Sequence, residues 1–170
     1  LYGDGVSHTI PAGGGRRQVL RLVNDLLKQP QLAQAAPTDL GALLGAALHT
    51  ARGRSLIFLV SDFFSAPGWE RPLSVLTRRH EVIAVRLWDP RERELPDIGP
   101  VLLQDAETGE HLYVDTHDKQ FRRRFHAAAL EREKSLDAAF ARAGVDALSL
   151  STEDDLVRAV LRFADLRRRR

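Results

Sequence analysis

Apolar and polar positions along this chain fall into two repeating patterns, unbroken greasy runs and helical stripes, and their order predicts the architecture. The strongest run is Leu56-Ile57-Phe58-Leu59-Val60-Ser61-Asp62, which ends abruptly in a hydroxyl and a carboxylate. A strand apolar on both faces is the kind that lies in a parallel sheet with helices above and below it. Glu81 to Trp88 is a second such run, closed by Asp89, and Val145 to Leu150 is a third. Between them run stripes at helical spacing. Val19, Leu22, Val23, Leu26 and Leu27 form one that stops before Pro30, and Leu40, Leu43, Leu44, Ala47, Leu48 and Ala51 form the next, with Gly53 just past its end. A helix after the Phe63–Gly68 loop turns Trp69, Leu73 and Leu76 inward.

The longest helix is predicted over about 118–143, buried through Phe121, Phe125, Ala129, Leu136, Phe140 and Ala143 and stopped by Gly144. The last packs through Leu156, Val160 and Phe163. Val101–Asp105 and His111–Asp115 flank a turn and read as a β-hairpin, and 1–10 reads as strand, tight turn and strand through Gly3-Asp4-Gly5. Strands alternating with helices in this order predict an α/β domain built on an open, mostly parallel sheet with helices on both faces and one hairpin insertion. Thr38 stands where the N-cap of the second helix belongs, and Ser151 and Thr152 where that of the last belongs, with Asp154 and Asp155 following. His80, between a helix and a strand, is expected to cap carbonyls. The segment 89–96, charged and bounded by prolines, is expected to be exposed.

Composition narrows the function. At 170 residues the chain is expected to form one domain, 1–170, with a basic tail at 167–170. It has no cysteine, so neither a disulfide framework nor a thiolate metal site arises. No apolar run is long enough to cross a bilayer and no signal-peptide pattern opens the chain, so the expected location is the cytoplasm, with anchoring left to a longer form. Lysine and arginine number 25 against 23 acids, yet Arg167 to Arg170 supply four of them, leaving 21 against 23 in the body. That balance does not describe a nucleic-acid surface, and Arg122-Arg123-Arg124 reads as the wet face of the long helix.

Gly13-Gly14-Gly15 before a helix has the look of a phosphate cradle, but no buried strand precedes it and no Lys-Ser/Thr follows, so a connector is the better reading. Receiver-type phosphotransfer needs a lysine at a late strand end, whereas Lys28, Lys119 and Lys134 all fall in predicted helices. No nucleophile elbow or paired-histidine spacing occurs. What remains is an oxygen-ligand rim beyond the carboxyl ends of the strands, where open α/β sheets bind their ligands. Asp62 ends one strand and Thr38 begins the helix before it; a hydroxyl and a carboxylate suit Mg²⁺, but two protein ligands make half a site. Asp39, Ser61 and Asp89 complete the candidate binding rim.

Pro37-Thr38-Asp39-Leu40 followed by a strand ending Val60-Ser61-Asp62-Phe63 resembles the second and third motifs of a von Willebrand factor A-type metal-ion-dependent adhesion site. Gly15-Arg16-Arg17, Arg78-Arg79-His80-Glu81-Val82, the segment Asp89 to Pro96 and Thr108-Gly109-Glu110 together resemble the bacterial domain-of-unknown-function family fifty-eight, over essentially the whole chain. The resemblance implies a von Willebrand A-like, Rossmann-type fold and non-catalytic binding or adaptor work, in association with MoxR-type AAA+ ATPases. It places Thr38 and Asp62 at the metal site. The first motif, Asp-x-Ser-x-Ser, has no counterpart here, so the expectation is an N-terminally truncated fold with an incomplete site. Mg²⁺ is then expected only in a longer form. The strand at 56–61 would lack a neighbour, and its open edge predicts a homodimer or an exchanged element. The alternative is an Mg²⁺-dependent nuclease or phosphodiesterase in which Asp62 and Asp89, ending adjacent strands, hold the metal.

Overall fold

In a computed structural model, which describes residues 9–11, 13–28, 38–51, 53–104 and 110–169, three parallel strands form the frame. They are β1 (Leu56–Ser61), β2 (Glu81–Trp88) and β5 (Asp146–Ser151), in the order β1-β2-β5, with Ser61 opposite Arg86 and Trp88 opposite Ser151. The hairpin strands β3 (Pro100–Gln104) and β4 (His111–Asp115) pair antiparallel as a separate two-stranded sheet. The helices are α1 (Gly15–Leu27), α2 (Leu40–Thr50), α3 (Glu70–Arg79), α4 (Lys119–Ala143) and α5 (Leu156–Arg168), and a 3₁₀ turn covers Pro90–Glu92. The strand–turn–strand expected at 1–10, the loop at 30–37 and the hairpin turn at 106–109 lie mainly or wholly outside the described residues.

Strand alternation gives the sheet two faces and each has its own core. On one face Leu59, Val82 and Ala84 meet α2, α3 and α4 through Leu44, Leu73, Leu76 and Phe140. Leu40, Leu44, Leu73 and Leu76 are at most 1% exposed. Each such side chain contributes about 1.5–3 kcal/mol of burial free energy. Phe63, Trp69 and Phe140 close this core as an aromatic trio, the Phe63 and Phe140 rings 4.9 Å apart and edge-on. On the other face Ile83, Val85 and Leu150 meet Ala159 and Phe163 of α5. Gly144 ends α4 in the left-handed conformation at φ 67°, as expected.

Several expectations are corrected. The run at 56–61 is not covered on both faces: β1 is an edge strand among the described residues, and Leu56, Phe58 and Val60 are 51%, 59% and 56% exposed. An apolar run records what a strand is made of, not whether a helix arrives to cover it. α5 buries Ala159, while Leu156 and Val160 stay largely exposed, because it sits over β5 and β2 alone. Asp39 rather than Thr38 caps α2, accepting from the Ala42 amide at 2.9 Å. Asp155 rather than Ser151 or Thr152 caps α5, accepting from Arg158. In each case the shorter spacing to the first free amide favours the nearer carboxylate.

Buried His80 accepts the Ser55 amide instead of capping carbonyls, the acceptor being Nδ1 at 3.3 Å. The basic tail is not all solvent: Arg167 pairs with Glu81 and Asp146, at the starts of β2 and β5, and these carboxylates hold its guanidinium above the usual arginine range. Arg122 is likewise engaged, with Asp97 and the Thr116 carbonyl. No described helix is long and apolar enough to cross a membrane.

Candidate binding site at the carboxyl ends of the strands

The turn leaving β1 is built from its own side chains. The Phe63 amide donates to Ser61 Oγ at 3.0 Å, and the Phe64 amide donates to Asp62 Oδ1 at 3.0 Å. These hydrogen bonds fold 61–64 tightly enough to force Phe63 to φ 62°, the left-handed region that side chains avoid. Phe63 is nonetheless buried in the aromatic trio, whose packing offsets the strain. Asp62 is exposed, and its second carboxylate oxygen carries no hydrogen bond among the described residues.

Ser65, three residues on, joins this turn to α2. Its hydroxyl donates to the Thr38 carbonyl at 2.8 Å and accepts the Leu40 amide at 3.1 Å. Thr38 and Asp39 therefore stand at the same end of the fold as Ser61 and Asp62, although 25 residues separate Ser65 from Leu40 in the chain. Sequence reasoning missed Ser65, since a lone serine in a loop carries no signal of a long-range bond.

Asp89 follows β2, the neighbour of β1, but both of its oxygens are engaged. Oδ1 accepts the Arg91 amide at 2.9 Å and Oδ2 accepts the Thr152 hydroxyl at 2.8 Å. The Arg91 amide first and Thr152 second hold its carboxyl below the usual aspartate value of 3.8, against some desolvation. With Glu92 returning to the Asp89 amide, this forms a capping box on the 3₁₀ turn. The segment after β2 is exposed at Arg91, Glu94 and Pro96, as expected, but it is also pinned. The Arg93 guanidinium stacks 3.6 Å from the centre of the Trp88 ring and pairs with Glu133, which also holds Arg86 at 2.9 Å. The rim opens into a groove of about 930 Å³ between this segment, the hairpin and α4, lined by Phe64, Asp89, Leu95, Val101, Phe125 and Arg132 among others. Glu92 also lines it, and the Oε2 atom of Glu92 is buried without a hydrogen bond. Arg132 lies over Phe64 at 4.8 Å.

As a cation site the donor set is thin. Among the described residues no three His, Asp or Glu side chains converge to hold a metal, and Thr38 and Asp62 offer one hydroxyl and one carboxylate. Mg²⁺ demands near-octahedral oxygen coordination, so these two residues would hold it only with further donors. What the arrangement supplies is an anionic point at Asp62, two residues before Phe64, which lines a groove of mixed apolar and charged character.

Two engaged carboxylates, Asp89 at the rim and Asp97 beside the hairpin, make the fold acid-sensitive. Asp97, held low mainly by His117 and then by Arg122, joins Asp89 in lying below the usual value of 3.8. Lowered carboxyls stabilise the fold above that value and lose the contribution as pH falls through the folded pKa. Asp89→Asn and Asp97→Asn are therefore expected to flatten the fall of the urea midpoint below about pH 3.8. Parallel acid limbs in variant and parent would refute the pairing.

The family described as Protein of unknown function DUF58 matches residues 1–135. The chain is similar to an uncharacterized protein of Mycobacterium avium, 36% identical over 160 residues and covering 94% of each chain. It is also 34% identical over 170 residues to uncharacterized proteins of Mycobacterium bovis and Mycobacterium tuberculosis, covering 99% of this chain and 53% of each relative. The chain thus spans about half the length of those two relatives. No solved structure matches it.

Proposed function

The chain belongs to the DUF58 family, and from that premise we propose that it is a non-catalytic protein-interaction module of von Willebrand A type. The observation that supports this reading is the Ser65 bridge, which sets Thr38 and Asp39 beside the Asp62 turn at the ligand-binding end of a parallel sheet. The Asp62 oxygen without a hydrogen bond among the described residues is the anchor, and the groove lined by Phe64, Leu95, Val101 and Phe125 takes side chains of the partner. The partner is a MoxR-type AAA+ ATPase, as the family resemblance implies. Thr38 and Asp62 are half of an adhesion-type site whose Mg²⁺ is completed by donors from outside the described residues. The edge of β1, unpaired among the described residues, is the seat of a homodimer or an exchanged element.

Calorimetric titration of the chain with a purified MoxR-type ATPase in Mg²⁺ buffer tests the reading. Saturable binding is expected, weakened about tenfold or more by Asp62→Ala, as for loss of a charged anchor. Binding indifferent to both Asp62→Ala and Thr38→Ala would remove the rim from consideration. Asp89, with both oxygens occupied, gives no support to the phosphodiesterase alternative.

A further inference from the structure

Beside α5 the sheet carries a groove of about 720 Å³, floored by Leu56, Phe58, Ile83 and Val85 and walled by Val160 and Phe163. Its charged end is closed, because Arg167 pairs with both Glu81 and Asp146. Apart from Arg168 at the rim, what is left open is apolar, which suits neither a nucleic acid nor a polar metabolite. The same chain carries a matching surface. α1 buries none of its residues, and Val19, Leu20, Leu22, Val23, Leu26 and Leu27, mostly on one side of it, are 40–81% exposed. Single exposed aliphatics are ordinary, but two contiguous apolar faces on one chain mark an interface.

We infer that α1 of a second copy of this chain lies in the groove over β1, alongside α5, and that the exchange is reciprocal. This rests on the homodimer reading and names the element that is exchanged. A helix laid beside α5 over a parallel sheet is the layer that, among the described residues, this half of the face lacks. α1 is thirteen residues long, about 20 Å. Twelve residues, 28–39, separate it from α2 in the sequence, and a chain of that length reaches at most about 43 Å. Area decides for reciprocity. At roughly 50 Å² of removable surface for each half-exposed aliphatic side chain, the six of α1 with Leu56, Phe58, Val60 and Val160 give about 500 Å² per docked helix. One such contact falls short of a specific interface, whereas two reach the threshold of about 1,000 Å².

Absence of cysteine makes the test clean. A Val23→Cys chain is mixed with a Phe58→Cys chain and treated with a short bismaleimide, beside sedimentation measurements of mass. A covalent dimer carrying one of each chain is the expected product. Leu22→Asp with Leu26→Asp is expected to raise the dimer dissociation constant about thirtyfold or more. A dimer by mass that yields no cross-link overturns the placement of α1 and leaves the homodimer standing. A monomer at all concentrations overturns both. Cross-linking of a Val23→Cys, Phe58→Cys double variant only within one chain shows α1 seated on its own sheet and overturns the exchange.

Discussion

Glu133→Ala is expected to lower the unfolding free energy by about 3 kcal/mol, read as a drop in the urea midpoint at unchanged slope. Glu133 stands between two guanidiniums, and the side chains of Arg86 and Glu133 are only 11% and 14% exposed. Removing the carboxylate leaves Arg86 half-enclosed on the sheet with its Nε already lacking a hydrogen bond. An uncompensated charge there costs more than the pair itself contributes. Arg93 is 33% exposed and keeps its stacking on Trp88, so its share of the loss is discounted for solvent screening. Replacing the pair together, Arg86→Met with Glu133→Leu, is expected to recover most of the loss. A Glu133→Ala cost below 1 kcal/mol, with no recovery in the double variant, would mean that water reaches the network.

Phe140→Ala is expected to cost about 3–5 kcal/mol, and Phe140→Leu less than half of that. Phe140 is 3% exposed and touches both other rings of the aromatic trio, so truncation removes its own burial and leaves a cavity under Phe63 and Trp69. For a domain of this size the melting temperature falls by about 10 °C. Calorimetry of the two variants checks the order and the size. A shift under 3 °C would show that the site collapses without penalty, at about 2–4 °C per kcal/mol.

Periodicity carried most of the fold. The boundaries of β2 and the 25 residues of α4 follow directly from apolar spacing and from Gly144. Where two capping residues stood side by side, as Thr38 and Asp39 do, composition could not choose between them, since hydrogen-bond distance decides and is a property of the turn. The exposed half of β1 was hidden for another reason. Leu56, Phe58 and Val60 are as apolar as a buried row, and nothing local records which side a helix covers. At the candidate site Asp62 was legible because a carboxylate closing an apolar run is conspicuous. Ser65, Thr152 and Glu133 were not, because each acts through a partner at least 25 residues away.

The left-handed backbone of Phe63 has a consequence for how the rim behaves. A phenylalanine held at φ 62° is a sprung joint, and it stays bent only while its ring is gripped from beneath by Trp69 and Phe140. The direction of the neighbouring carboxylate at Asp62 is therefore set from inside the molecule. A ligand that bound that carboxylate would thus meet a turn whose shape is held by the packing against α4, and it would be expected to stabilise that packing in proportion to its affinity.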